Sequence, residues 1–367
     1  MADLTVITAR LAWAAALVVR ALSPRATSAN TSAVLLTVHT DALDLTGTDG
    51  HVTVRVTLPC TGYETGCVLV SRRNLAATVA ALDAAEIRLT AEGSRLAIRT
   101  PNARFALPLL DQSALPALDD LPATAGTIDG KNLHATAIAV AGAAAQSDAL
   151  PIFTGVRLRG RNEGLSMVAT DRFRMAAAAP PWSPTGEIDV LVPAGFLADT
   201  VKLAGATAVV TLHADAHQFA IAWPGVSVRC AALAQPYPDE QVQQLFLAEP
   251  EATATIDARS LAAAVARATL YSGSQGRVSL HLGDGIVVIR GGDEQAGESE
   301  ETIKATVRGG HCTATYNAGY LADALQGFTS SAVTMQIQAG IRPTVFSDPS
   351  GDDPTRLRYL IVPLRLP

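Results

Sequence analysis

Cysteine is scarce, with four residues in 367: Cys60, Cys67, Cys230 and Cys312. So few and so scattered, they exclude a disulfide scaffold. The Cys60–Cys67 pair has no second pair at metal-ligand spacing, so the thiols read as reduced, in a cytoplasmic protein. Aromatic residues are 5% and charged residues 17% of the chain, against 49% hydrophobic, which excludes the disordered class and leaves ample material for buried cores. Long apolar runs are missing too. The nine residues Leu11 to Val19 follow Arg10 and precede Ala21-Leu22-Ser23-Pro24-Arg25-Ala26, a layout that resembles a signal peptide. The run is too short to span a membrane, and the repeat described next offers a second reading, a buried helix.

Catalytic signatures are equally absent. There is no phosphate-binding glycine loop, no Gly-x-Ser-x-Gly elbow and no His/Glu zinc motif. His213 and His217 are four apart, but in an alternating hairpin where that spacing does not bring them to one helical face. Asp348-Pro349-Ser350-Gly351-Asp352-Asp353 lacks the remaining ligand spacing of a calcium loop and reads as a turn. The chain therefore reads as non-catalytic, with no cofactor and no metal.

What the sequence does contain is a repeat. A length of 367 residues suits two or three domains. At an offset of 122, Thr5-Val6-Ile7 and Leu11 fall on Thr127-Ile128-Asp129 and Leu133, and Thr48-Asp49 falls on Thr170-Asp171. The same offset sets Val68-Leu69-Val70 and Leu75-Ala76 on Val190-Leu191-Val192 and Leu197-Ala198. A third copy follows, with Thr255-Ile256-Asp257 and Leu261, then Ala318-Gly319-Tyr320-Leu321-Ala322-Asp323 echoing Ala194-Gly195-Phe196-Leu197-Ala198-Asp199. Three units result, 1–124, 125–250 and 251–367, each far longer than a solenoid repeat. Each is expected to open with a helix (about 5–20, 127–146, 257–270), continue in alternating strands such as Val52 to Val56 and Val278 to Leu282, add a second helix (about 71–82, 194–204, 317–326) and close with a hairpin. That order predicts an α+β fold, with two helices on one sheet face in each unit.

The formal net charge is −6, unlike the basic surface of a protein that grips nucleic acid all over. The charge is unevenly spread. The six helical segments carry +2, +2, 0, 0, +1 and −1, a total of +4, which leaves −10 for the rest. A basic helical face would meet phosphates while the remainder repels them. Arg10, Arg20, Arg25, Arg72 and Arg73 are the candidates; a solvated helix face is the plainer account of the same residues.

Two segments carry a family resemblance. Val168-Ala169-Thr170-Asp171-Arg172-Phe173-Arg174-Met175-Ala176 resembles the Ala-Thr-Asp-Gly-His-Arg-Leu-Ala motif of the bacterial sliding clamp, the β subunit of DNA polymerase III. Tyr359-Leu360-Ile361-Val362-Pro363-Leu364-Arg365-Leu366 resembles that family's closing Tyr-x-x-Met-Pro-Met-Arg-Leu. Pro151 to Val156 and Tyr237-Pro238-Asp239 also look like family segments, so the resemblance spans the chain. It implies three clamp domains with helices lining a ring, closed head to tail by a homodimer around double-stranded DNA. It also implies a clamp loader, and DNA polymerase III and other clamp-binding proteins docking through short peptides between the second and third domains. The matching cleft positions are Phe153, Thr170, Arg172, Phe173, Arg174, Met175, Pro238, Val242, Leu360, Val362, Pro363, Leu364 and Arg365. Without the family, the same residues read as a hairpin turn and a core strand. For the ring seam the resemblance points to Phe105, Leu107, Leu270 and Tyr271, although Phe105 and Leu107 could equally face their own core.

The departures are specific. Arg172 stands where the motif has Gly and Phe173 where it has His, whereas the first repeat keeps Thr48-Asp49-Gly50-His51. Glu240-Gln241-Val242-Gln243 replaces the basic residues usual near Pro238. Such a cleft fits a divergent or second clamp copy; an accessory paralogue or decoy that binds partner peptides without encircling DNA is the alternative.

Overall fold

The computed structural model describes residues 2–24, 30–115, 120–147, 150–162, 164–205, 207–234, 237, 249–338, 342–349 and 355–365. Arg25, Pro238, Val242 and most of the Asp348 to Asp353 turn lie outside the described residues. Six α-helices occur among them: α1 (Thr8–Ala21), α2 (Arg72–Ala80), α3 (Gly130–Ala141), α4 (Ala194–Ala204), α5 (Ala258–Thr269) and α6 (Ala318–Gln326). Five fall inside the segments expected from the sequence, and α1 runs one residue past its own.

One expectation is corrected. The repeats open with strands, Asp3–Ile7, Thr124–Asp129 and Ala252–Asp257, not with helices. The Thr-Ile-Asp signature of the second and third repeats is a strand end followed by a cap, whereas Ile7 in the first gives α1 no side-chain cap. The signature's β-branched residues suit a pleated strand, and the aspartate turns the chain into a helix. Asp129 Oδ1 accepts from the amides of Lys131 and Asn132, each at 3.0 Å, and Asp257 Oδ1 accepts from Ser260 at 2.7 Å. Ser71 and Asn317 cap α2 and α6 in the same way.

The apolar N-terminal run is the inner face of α1, with Leu11, Ala14, Ala15, Leu17 and Val18 buried. The helix packs against α2 and lies close to the strand Ala42–Thr48. That approach needs Gly47, where a Cβ would sit 2.9 Å from side-chain carbons of both Val18 and Leu22. In the third repeat α5 packs on α6.

Continuous sheets bridge the repeats. In the first compact unit (Met1–Thr127 with Lys202–Ala232) a five-stranded sheet orders its strands 61–64, 3–7, 86–92, 95–99, 104–108. A second sheet there pairs Val226–Ala231 of the middle repeat antiparallel with Val52–Pro59 of the first, Val228 opposite Val54. In the second unit (Ile128–Val201 with Leu233–Pro367) twelve strands run 188–193, 155–161, 164–170, 174–178, 358–361, 344–347, 332–337, 252–257, 297–309, 286–293, 277–283, 312–317. Here Arg174–Ala178 of the middle repeat pairs with Arg358–Ile361 of the third. Compactness therefore groups the chain across repeat boundaries, because backbone pairing crosses them. Among the described residues no helix is long and apolar enough to cross a membrane.

Candidate partner-binding site

The site grows from one turn. Strand Gly164–Thr170 reverses into Arg174–Ala178, with Thr170 opposite Met175. Thr170 Oγ1 donates to the Arg174 carbonyl at 2.7 Å and accepts from the Arg172 amide at 3.0 Å. Asp171 Oδ1 accepts from the amides of Phe173 and Arg174, both at 2.9 Å. The first repeat builds the same turn: Thr48 Oγ1 donates to the Val52 carbonyl and accepts from the Gly50 amide, and Asp49 Oδ1 accepts from His51 and Val52. The kinship of the first two repeats is thus visible at the level of single hydrogen bonds. It also shows what this turn demands: position three is left-handed, φ +92° at Gly50 and +80° at Arg172. Glycine adopts that conformation freely and arginine does not.

Arg174 locks the turn to the rest of the second unit. Its Nε donates to Asp171 at 3.0 Å and its Nη1 to Asp323 of α6 at 2.5 Å, with the Tyr359 hydroxyl at 3.5 Å. Its guanidinium lies 4.3 Å from the centre of the Tyr320 ring. Burial opposes its charge, but Tyr359, Asp323 and Asp171 outweigh it and the pKa rises above the ordinary arginine value. Burial, reinforced by Asp323 and Asp171 against Arg174, pushes the Tyr359 phenol above the usual tyrosine range. Burial and Asp171 do the same for Tyr320.

Beside this anchor runs an apolar floor. Met175 and Leu360 are register partners, each 2% exposed, and cluster with Val168, Ala177 and Val345; Tyr237 packs against them. The strand face continues into a depression of about 570 Å³ lined by Ser166, Ala177, Ser347 and Arg358 among others. The C-terminal segment is tied to the rim, Val362 N donating to the Phe173 carbonyl at 2.9 Å and Leu364 N to Thr315 at 2.7 Å. Val362, Pro363 and Leu364 are half-buried and Arg365 is exposed. Phe153, half-buried in a short turn (Pro151–Thr154), faces Arg172. The structure so brings together Phe153, Thr170, Arg172, Phe173, Arg174, Met175, Leu360 and Val362. Sequence reasoning missed Tyr320, Asp323, Tyr359, Val168 and Val345. Val168 was signalled by strand alternation, but the α6 pair only by its place in a repeat.

The basic candidates divide by burial. Arg10, Arg20 and Arg73 are exposed. Arg10, Trp13 and Arg20 lie within about 80° of one another around α1, at roughly 100° per residue. Arg72 is a correction: it is 1% exposed and donates to the Ser23 carbonyl at 2.5 Å. It shares the inner face of α2 with Leu75 and Val79, three and seven residues on, while Arg73 lies a step around the helix. At the expected seam Phe105, Leu270 and Tyr271 are exposed, but Leu107, two residues on from Phe105 and so on the same strand face, is buried.

A fold of three repeats, each with two helices on sheets that run across the repeat boundaries, is that of a DNA clamp. Family profiles for the N-terminal, central and C-terminal domains of the DNA polymerase III beta subunit match residues 2–119, 127–239 and 243–365. The chain belongs to the DNA polymerase III β subunit family. It is 28% identical over 367 residues to the beta sliding clamp of Streptomyces coelicolor, covering 97% of this chain and 96% of that one. It is 27% identical to the beta sliding clamp homolog GriR of Streptomyces muensis, over 95% of each. Its fold matches the Bacillus subtilis DNA polymerase sliding clamp with a TM-score of 0.93 at 21% identity over the full length of both chains. A Pseudomonas aeruginosa sliding clamp bound to griselimycin matches at 0.90 and 22%, again over the full length of both.

Proposed function

We propose that this chain is a sliding clamp: two copies close head to tail around duplex DNA and tether DNA polymerase III and other partners, working in the cytoplasm without catalysis. The domains divide at 124/125 and 250/251, and a clamp loader opens the ring. The observation that carries this reading is the in-order match of all three domains across residues 2–365.

Two free edges support the homodimer. Strand Arg104–Pro108 ends its sheet and exposes Phe105 (39%). Residues 297–304 pair on one side only among the described residues, with Ile286–Asp293, and carry Glu298, Glu300 and Glu301. Leu270, 77% exposed, and Tyr271 stand out in the same unit. Pairing of these two edges across protomers continues the sheet and covers these residues, removing edges that would otherwise invite mispairing. Phe105, Leu270 and Tyr271 form the seam, with Leu107 supporting Phe105's strand from its own core.

Arg10, Arg20 and Arg73 make sequence-independent phosphate contacts; topology retains the ring, so these contacts are weak enough to slide. Partner peptides occupy the floor of Met175, Leu360 and Val362, ringed by Phe153, Thr170, Arg172, Phe173, Arg174, Pro363, Leu364 and Arg365, with Pro238 and Val242 completing the cleft. Tethering raises a partner's effective concentration at the DNA.

Light scattering across a dilution series at moderate salt tests the ring. A mass near twice 38.0 kDa that survives dilution is expected. A monomer at every concentration would overturn encirclement.

A further inference from the structure

We infer that Arg172 makes this cleft selective for partner peptides that carry a carboxylate beside their apolar anchor. The inference rests on the peptide-cleft reading above and names the chemistry of the ligand.

The first observation is backbone cost. Arg172 holds φ +80° in a turn whose first-repeat twin has the same hydrogen bonds and uses Gly50 at +92°. Glycine meets this geometry without strain, so the turn itself gives no reason for an arginine; strained non-glycine residues concentrate where the side chain acts.

The second is where the side chain goes. Its guanidinium lies 5.7 Å from the centre of the Phe153 ring and 5.8 Å from that of Phe173, so two aromatic faces hold it in place. Phe173 is 54% exposed, and Arg172 is exposed beside it. Among the described residues, no carboxylate lies within ion-pair distance of Arg172. Arg174, two residues on, has both Asp171 and Asp323. The turn therefore contains one arginine that is neutralised and structural and one that is oriented and uncompensated.

The third is position. The Arg172 amide is fixed by Thr170, and the Phe173 carbonyl holds Val362, so the cation stands on the rim of the Met175–Leu360 floor. A peptide whose apolar side chain enters that floor passes its neighbouring residue under a preorganised guanidinium. A carboxylate there accepts two parallel N–H bonds, which a neutral amide cannot reproduce.

The test uses the full-length protein and six-residue peptides with Leu and Phe anchors, a single Asp scanned through the positions around the anchors, and Asn at the same positions. Affinities are read by fluorescence anisotropy at two salt concentrations. At one position the wild type should prefer Asp over Asn by about fivefold, the gain of a good exposed ion pair, and less at the higher salt. R172G should lose that preference while still binding the Asn peptide; its fold is safe because Gly50 takes the same conformation. Equal binding of Asp and Asn peptides by the wild type at every position overturns the role of Arg172 and leaves the cleft standing. Selectivity that survives R172G and vanishes in R365A assigns the charge to the C-terminal arginine and also overturns it. No binding of any peptide removes the cleft reading, and this inference with it.

Discussion

Replacing Arg174 by methionine should destabilise the second unit by about 3 kcal/mol. The side chains of Arg174 and Asp171 are 6% and 10% exposed, so the pair is largely cut off from water. Removing one partner of a buried ion pair costs roughly 3–5 kcal/mol because the other charge is stranded. The lower end applies here, since Asp171 keeps two backbone donors, the Phe173 and Arg174 amides. Asp323 is half-exposed and returns to water, so its pair adds less than about 1 kcal/mol. Methionine preserves most of the stem's packing, which isolates the electrostatic part. Asp171→Asn alone should cost about 2 kcal/mol. The double variant should cost about 3 rather than the sum of about 5, a coupling of about 2 kcal/mol. Urea unfolding gives the overall loss, and hydrogen exchange at the Phe173 and Arg174 amides reports the turn directly. A methionine variant within about 1 kcal/mol of wild type, or a double variant equal to the sum of the singles, would refute the argument.

Other consequences follow from single residues. Asp49 accepts from Ser23, His51 and Val52; burial raises its pKa, but these amides outweigh burial and hold it below the ordinary 3.8. A depressed carboxylate stabilises the fold fully above pH 3.8, and that contribution is lost as pH falls through its lower folded value. Asp49→Asn should therefore cost about 1–2 kcal/mol at neutral pH and little at strongly acid pH; a gap that is constant from pH 7 to 2, read by denaturant titration, would contradict this. Leu11→Ala empties a fully buried site on α1 and should cost about 2–5 kcal/mol in denaturant unfolding; a loss under 1 kcal/mol would mean α1 is not core. Arg73→Glu should lower DNA affinity and flatten its salt dependence, losing one exposed hydrogen bond to the Pro24 carbonyl, whereas Arg72→Ala, at a buried site, should cost more stability; the reverse pattern in filter binding and thermal melts would reassign the two. Among the thiols, exposed Cys67 should react with a disulfide reagent in the native protein. Cys230, pushed up to about 12 by burial, should react only on unfolding; fast native labelling at Cys230 would show that its strand opens.

The sequence alone determined the elements that depend on local chemistry. Helix positions follow from apolar periodicity, the threefold repeat from residue types that recur at one spacing, and the Thr170-Asp171 turn from side chains that bond their own backbone. These interactions span a few residues, so their pattern is written in order along the chain. The opening strands read as helix starts for a local reason, since in the second and third repeats Thr-Ile-Asp serves at once as strand end and helix cap. Only the tertiary structure decided the rest. Pairing of Met175 with Leu360, and the meeting of Arg174 with Asp323, join residues 185 and 149 positions apart. No periodicity signals such contacts, because they arise where one repeat's edge strand finds the next repeat's. Arg72 and Arg73 make the same point at short range. They are identical in type and adjacent in sequence, yet the rotation of one helical step buries the first and exposes the second, and only packing fixes which face turns inward.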